Sequence, residues 1–165
     1  MEADMDNRTT GDFRITGLSP EPFRHLYGLS DAELAAHGAR RYVADSKPGF
    51  PDRIEVRDAE PGECLLLINH LHQPADTPYR SSHAIFVLEG AEAAYDRVNE
   101  VPEALKVRPI SLRAFDTGHM IVDADLACGD AVEALIRRYL ADPGIAYLHA
   151  HYATRGCYAA RIARA

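Results

Sequence analysis

Past residue 63 the chain breaks into short apolar segments with strand-like pattern, and one stretch, Asp130–Leu140, keeps a helical apolar period. This distribution most limits the fold. In Asp130–Leu140, Ala131, Leu135, Ile136, Tyr139 and Leu140 make a stripe, Arg137 and Arg138 sit near the C-terminal end, and Asp142-Pro143-Gly144 stops the helix. Cys64–Ile68 is a continuous apolar run, as expected of a central strand. His83–Leu88, Pro109–Asp116, Met120–Cys128, Ile145–Tyr152 and Cys157–Arg164 also read as strands. Thr117-Gly118-His119 and Ala153-Thr154-Arg155-Gly156 supply the turns of two hairpins.

The N-terminal part reads differently. Residues 1–11 lack an apolar period and are expected to be a flexible tail. Phe13–Thr16 alternates like a strand. Ser19-Pro20-Glu21 opens a first short helix ending near Gly28, and Ser30 with Glu33 forms a capping box for a second that runs to about Gly38. Arg40–Ala44 and Arg53–Arg57 are expected as short strands, and 69–82 as a polar loop holding Pro74 and Pro78. The stretch 89–107 suggests a loop with one helical turn near Pro102–Leu105. The expected fold is therefore α+β: a single domain over residues 12–165, with a largely antiparallel sheet, two short N-terminal helices, and one longer helix before a C-terminal hairpin. The closing strand Cys157–Arg164 is a candidate sheet edge, and so a route to a homodimer.

Composition narrows the function classes. At 165 residues the chain can bury a full core without staples. The net charge is −7 and no basic block exists, which argues against a nucleic-acid partner. No apolar run is long enough for a membrane span, and the acidic, polar start is unlike a secretory signal. With three cysteines in no framework spacing, reduced thiols and a cytoplasmic location are expected. Phosphate loops, dinucleotide fingerprints, nucleophile elbows and zinc-protease helices are all missing.

Several segments together resemble an uncharacterised bacterial family known as domain of unknown function 1203. They are Pro51-Asp52-Arg53, Pro78-Tyr79-Arg80 with Ile85-Phe86-Val87, Ser111-Leu112-Arg113-Ala114-Phe115, and His149-Ala150-His151-Tyr152-Ala153 with Gly156-Cys157. The likeness spans the chain from Phe13 onward. Asp52 stands where the family has Cys, and His83-Ala84 where it has Gly-Pro. A thiol role at position 52 is therefore absent here, and a site using His83 is peculiar to this chain. The resemblance implies no activity.

Candidate chemistry comes from the eight histidines, from Cys157 and from arginine. His149/His151 and His70/His72 have i, i+2 spacing, which puts each pair on one face of a strand. With His83 as a neighbour of His70, these imidazoles are candidate ligands for a divalent metal such as zinc, although no third ligand has a diagnostic spacing. The commoner reading of such a pair is structural. Cys157 joins His149 and His151 as a candidate catalytic group, depending on the hairpin. A three-residue loop puts the thiol on the histidine face, and a four-residue loop puts it on the other. Tyr79, Arg80 and Arg113, with Ser111 and Arg161 nearby, are candidate binders of a small anionic metabolite. Three readings follow: a small-molecule site on the His149/His151 face, a metal-binding protein, and a non-enzymatic interaction or dimerisation module.

Overall fold

The computed structural model describes residues 11–165, so the expected tail over 1–11 lies almost wholly outside the described residues. Nine strands form two sheets. They are β1 (Phe13–Thr16), β2 (Arg40–Val43), β3 (Cys64–Gln73), β4 (Ser81–Leu88), β5 (Asp96–Val98), β6 (Ile110–Phe115), β7 (Ile121–Ala127), β8 (Tyr147–Tyr152) and β9 (Cys157–Arg164). The large sheet has the order β5-β1-β9-β8-β6-β7 and the small one β2-β3-β4. All the strand pairings are antiparallel. The helices are α1 (Asp31–Ala36), α2 (Ala131–Leu140) and two 3-10 turns, Glu21–Leu26 and Glu103–Leu105. The fold is α+β, as the segment pattern predicts.

Alternation along the central strands sorts side chains into layers. Ile110, Leu112, Leu148, Ala150 and Ile162 face α2, whose Val132, Leu135, Ile136 and Tyr139 complete one core. The opposite face of the large sheet meets the small sheet. There Tyr158 joins a second core with Leu65, Leu66, Ile85 and Val87, reinforced by Phe23, Leu26 and Leu34 from the N-terminal helical turns. Ser30 caps α1: its Oγ accepts from the Glu33 amide at 3.2 Å and donates to the Glu33 carboxylate at 3.0 Å.

Four expectations require correction. The closing strand β9 is not an edge. It lies between β1 and β8, because the apolar residues of distant β1 match its free side, Ile15 opposite Ile162. Dimerisation through its edge is therefore closed off. Residues 69–82 are mostly strand: β3 runs on to Gln73 and β4 begins at Ser81, with His70 paired to His83. Their polar side chains mimic a loop in sequence, but the backbone pairing continues. Arg53–Arg57 is an irregular segment between isolated bridges, Pro51 with Asp58 and Asp52 with Phe86. Strand β5 was not expected because all three of its residues are exposed and show no apolar alternation.

The Arg53 segment is wedged between the layers. Its backbone bonds Phe86 O on one side (3.1 Å) and the Leu18 amide on the other (2.8 Å). The buried Asp52 carboxylate accepts from the amides of Ile54 (3.1 Å), Glu55 (2.6 Å) and Leu88 (2.6 Å), tying the turn to β4. Burial raises the Asp52 pKa, opposed by those three amides. Gly17 permits the approach: a Cβ there would stand 2.0 Å from the Ile54 carbonyl oxygen. Gly17→Ala should therefore destabilise the fold by about 3 kcal/mol or more, since backbone rather than a flexible side chain must give way. Urea denaturation of the variant checks this, and a loss below 1 kcal/mol (roughly the mean for any substitution) would contradict it.

Candidate functional site

The middle of the large sheet carries a cross-strand row on the face away from α2. Arg113 of β6, His149 of β8 and Arg161 of β9 are direct register partners, followed outward by Thr16 of β1. Such partners stand about 4.5–5.5 Å apart. The next row holds Ser111, His151 and Tyr158. Strand β3 closes over these rows. His72 stacks on the Tyr158 ring (5.5 Å, 9°) and stands edge-on to His151 at 4.9 Å and to His149 at 6.3 Å. A cleft of about 460 Å³ opens here, bounded by His72, His149, Tyr147, Tyr158, His119 and Arg161.

Hydrogen bonds hold the rings in place. The Ser81 hydroxyl stands 3.0 Å from both Tyr79 O and His72 Nε2. His72 Nδ1 is buried without a hydrogen-bond partner. His149 Nδ1 is also buried and unpartnered. His151 Nδ1 donates to Gly156 O at 2.9 Å. Gln73 donates to the Tyr147 hydroxyl (2.9 Å), which also hydrogen-bonds His119 Nδ1 (2.7 Å).

Burial is the main cause of the imidazole charge states. It drives the His149 pKa down to about 3, with neighbouring His151, His72, Arg161 and Arg113 adding to the effect. It takes His151 to about 3 against its bond to Gly156, and His72 to about 4 with His70 and Arg113 beside it. His70 is lowered by burial alone. At neutral pH the cluster is therefore uncharged. The charges on this face are the guanidiniums of Arg113 and Arg161. Arg113 donates to Ser111 Oγ at 3.4 Å, and Arg161 lies over the Tyr147 ring at 4.8 Å. Among the described residues neither pairs with a carboxylate.

The expected site residues divide accordingly. His149, His151, His72 and Arg113 come together, and Arg161 joins them. His70 lies at one side between Phe23 and Tyr158. His83 points elsewhere, with its ring between Ala84 O (2.8 Å) and Arg155 O (3.1 Å). The Tyr79 ring meets the cluster through Phe115, edge-on at 6.5 Å, its carbonyl through Ser81, and Arg80 closes its own loop by donating to Pro74 O. Cys157 is separated from the histidines. The loop has four residues, Tyr152 pairs with Cys157, and the thiol lies on the α2 face. As a catalytic partner for His149 and His151 it is out of place. Among the described residues, no three His, Cys, Asp or Glu side chains are grouped to hold one ion.

Tyr147, Tyr158, His119 and Gln73 escape sequence reasoning. Tyr147 alone had a signal, the same period of two that joins His149 and His151. Tyr158 reaches the face because the four-residue hairpin pairs it with His151, and the bulge after it, which leaves Ala159 unpaired, brings Arg161 to the same face. His72 is likewise the unpaired residue of a bulge in β3.

Residues 49–164 match a known family, described as Protein of unknown function (DUF1203). The chain belongs to the DUF1203 family. Every residue of the two cross-strand rows except Thr16 lies within the DUF1203 match. No curated protein and no solved structure matches the chain.

The depressed imidazole pKa values have a consequence for stability. Unfolded histidine titrates near 6.5, so between that value and about 3 the unfolded chain binds protons that folded His149 and His151 refuse. Their contribution is complete above about pH 6.5 and is lost as pH falls towards 3, by up to about 1.4 kcal/mol per pH unit for each. Urea melts at pH 7, 6 and 5 should show this slope, and it should flatten in His149→Gln/His151→Gln. An unchanged slope in the double variant would contradict burial of neutral rings.

Proposed function

We propose that the chain binds a small organic anion, a carboxylate that also carries a hydrogen-bond donor, in the histidine cleft. The observation that carries this reading is the Arg113–His149–Arg161 row: two guanidiniums without carboxylate partners on either side of a buried neutral imidazole. Arginine forks suit a carboxylate, and the unpartnered Nδ1 of His72, in the Nε2–H tautomer, suits a donor such as a hydroxyl or ammonium group. Aromatic walls from Tyr147 and Tyr158 suit the body of such a ligand. The task supported is binding rather than proton transfer, because rings held at about 3 to 4 are too weakly basic to carry protons at neutral pH. The three free thiols support a cytoplasmic setting for this role.

Ligand-detected NMR with a panel of hydroxy- and amino-carboxylates tests it. Saturable binding is expected, weakened about tenfold or more by Arg161→Gln and by Arg113→Gln, the effect of one charge-assisted contact each. Thermal melts of the same variants monitor folding. No saturable binding, or binding indifferent to both substitutions, would sink the proposal. Stoichiometric zinc in chelator-free, untagged protein, lost in His149→Ala/His151→Ala, would replace it with a metal-binding role.

A further inference from the structure

On the other side of the β8–β9 hairpin lies a second cleft, of about 370 Å³, which shares no lining residue with the first. Its floor is Arg53, Tyr152 and Cys157. Prolines and Val107 wall it, and Thr154 and Arg155 stand at the rim.

Arg53 is 2% exposed, the largest side chain so fully buried. Its Nε donates to Tyr158 O at 2.8 Å, its Nη2 to Cys157 Sγ at 3.0 Å, and its Nη1 to Pro51 O. Three of five guanidinium N–H groups are thus used, none on a carboxylate. The neighbouring Asp52 turns its oxygens to backbone amides instead. Burial lowers the Arg53 pKa, opposed by Tyr152, Cys157 and, across space without an ion pair, Asp52. Arg108 packs over the same Tyr152 ring, at 5.2 Å against 4.9 Å for Arg53. Asp58 matches the charge of Arg108 through both carboxylate oxygens. No such match exists for Arg53 among the described residues, and Arg155 adds a further cation at the rim. The Tyr152 hydroxyl is buried without a partner, and burial pushes its pKa to about 12, so it stays an unused donor.

A buried cation without a paired carboxylate is costly, and so is a buried donor without an acceptor. One ligand relieves both. We propose that this cleft is a second binding site, for a small molecule with an oxyanion head, carboxylate or phosphate, seated at Arg53 beside the Cys157 thiol. Arg155 and Thr154 close the site from the rim, and the apolar walls limit the ligand to a compact body.

Cys157 makes the site measurable. Iodoacetate and iodoacetamide alkylate thiols by the same displacement: a sulfur–carbon bond forms, iodide leaves, and the thiol proton passes to buffer. They differ in that iodoacetate is itself a carboxylate. Exposed Cys128 serves as the internal reference. Peptide mass spectrometry after limited labelling should show the iodoacetate-to-iodoacetamide ratio at Cys157 exceeding that at Cys128 by about tenfold, the worth of one charge-assisted contact. Arg53→Gln should abolish the excess. Should that variant not fold, Arg155→Glu, a substitution at an exposed position, should remove most of it. Protection of Cys157 by inorganic phosphate but not acetate assigns the head to phosphate, and the reverse assigns it to carboxylate. Arg161→Gln should leave the ratio unchanged, because it alters only the first cleft. Equal ratios at the two cysteines, no reaction of Cys157 with either reagent in the folded protein, or an excess that survives Arg155→Glu would overturn the proposal.

Discussion

Strand β9 carries one residue more than β8 across the stretch His151–Tyr158 to Ala150–Ala160, and both clefts depend on that surplus. Below the bulge, Tyr152 and Cys157 face the α2 side. Above it, Arg161 stands beside His149 and Ile162 beside Leu148. A regular four-residue hairpin would put Arg161 opposite Leu148, inside the apolar core. A regular three-residue hairpin would bring Cys157 onto the histidine face. The bulge satisfies both ends of the strand: the thiol and the isoleucine stay on the core side, and the arginine faces out. Alanines at 159 and 160 make this possible, because both fit fully buried at the kink.

That arrangement also marks how far the sequence could be read. Period-two spacing put His149 and His151 on one face, and the helical stripe located α2 to within a residue. The hairpin alternatives each held half of the answer. Nothing local announces a bulge between two alanines, so the alternatives stayed open at sequence level. Spacing marked His72 as a candidate together with His70, but its place against His151 and Tyr158 could not be read, for a related reason. Its position on a bulge in an extended β3 depends on packing against a sheet about eighty residues away, which periodicity does not encode.

Arg53 shows a second limit. In sequence it sits in a short polar stretch and looks like an exposed strand residue. In the fold that stretch is trapped between the layers, and Arg53 becomes the largest fully buried side chain among the described residues. Charged residues are mostly exposed, so a sequence prior places such a residue outside. Its burial follows from tertiary constraints: the Gly17 contact, the Asp52 cap on β4, and the carbonyls of Tyr158 and Pro51. The same constraints leave the two clefts electrically alike. Each combines aromatic walls with a guanidinium, Arg161 in one and Arg53 in the other, that pairs with no carboxylate among the described residues, although the chain as a whole is acidic.

Tyr158 lines the first cleft and anchors a floor residue of the second. Its ring stacks on His72 in the first, and its carbonyl oxygen receives Arg53 Nε in the second. One residue thus has its side chain in one chamber and its peptide oxygen at the floor of the other. Two chambers that share no lining residue are therefore built on a single common backbone unit.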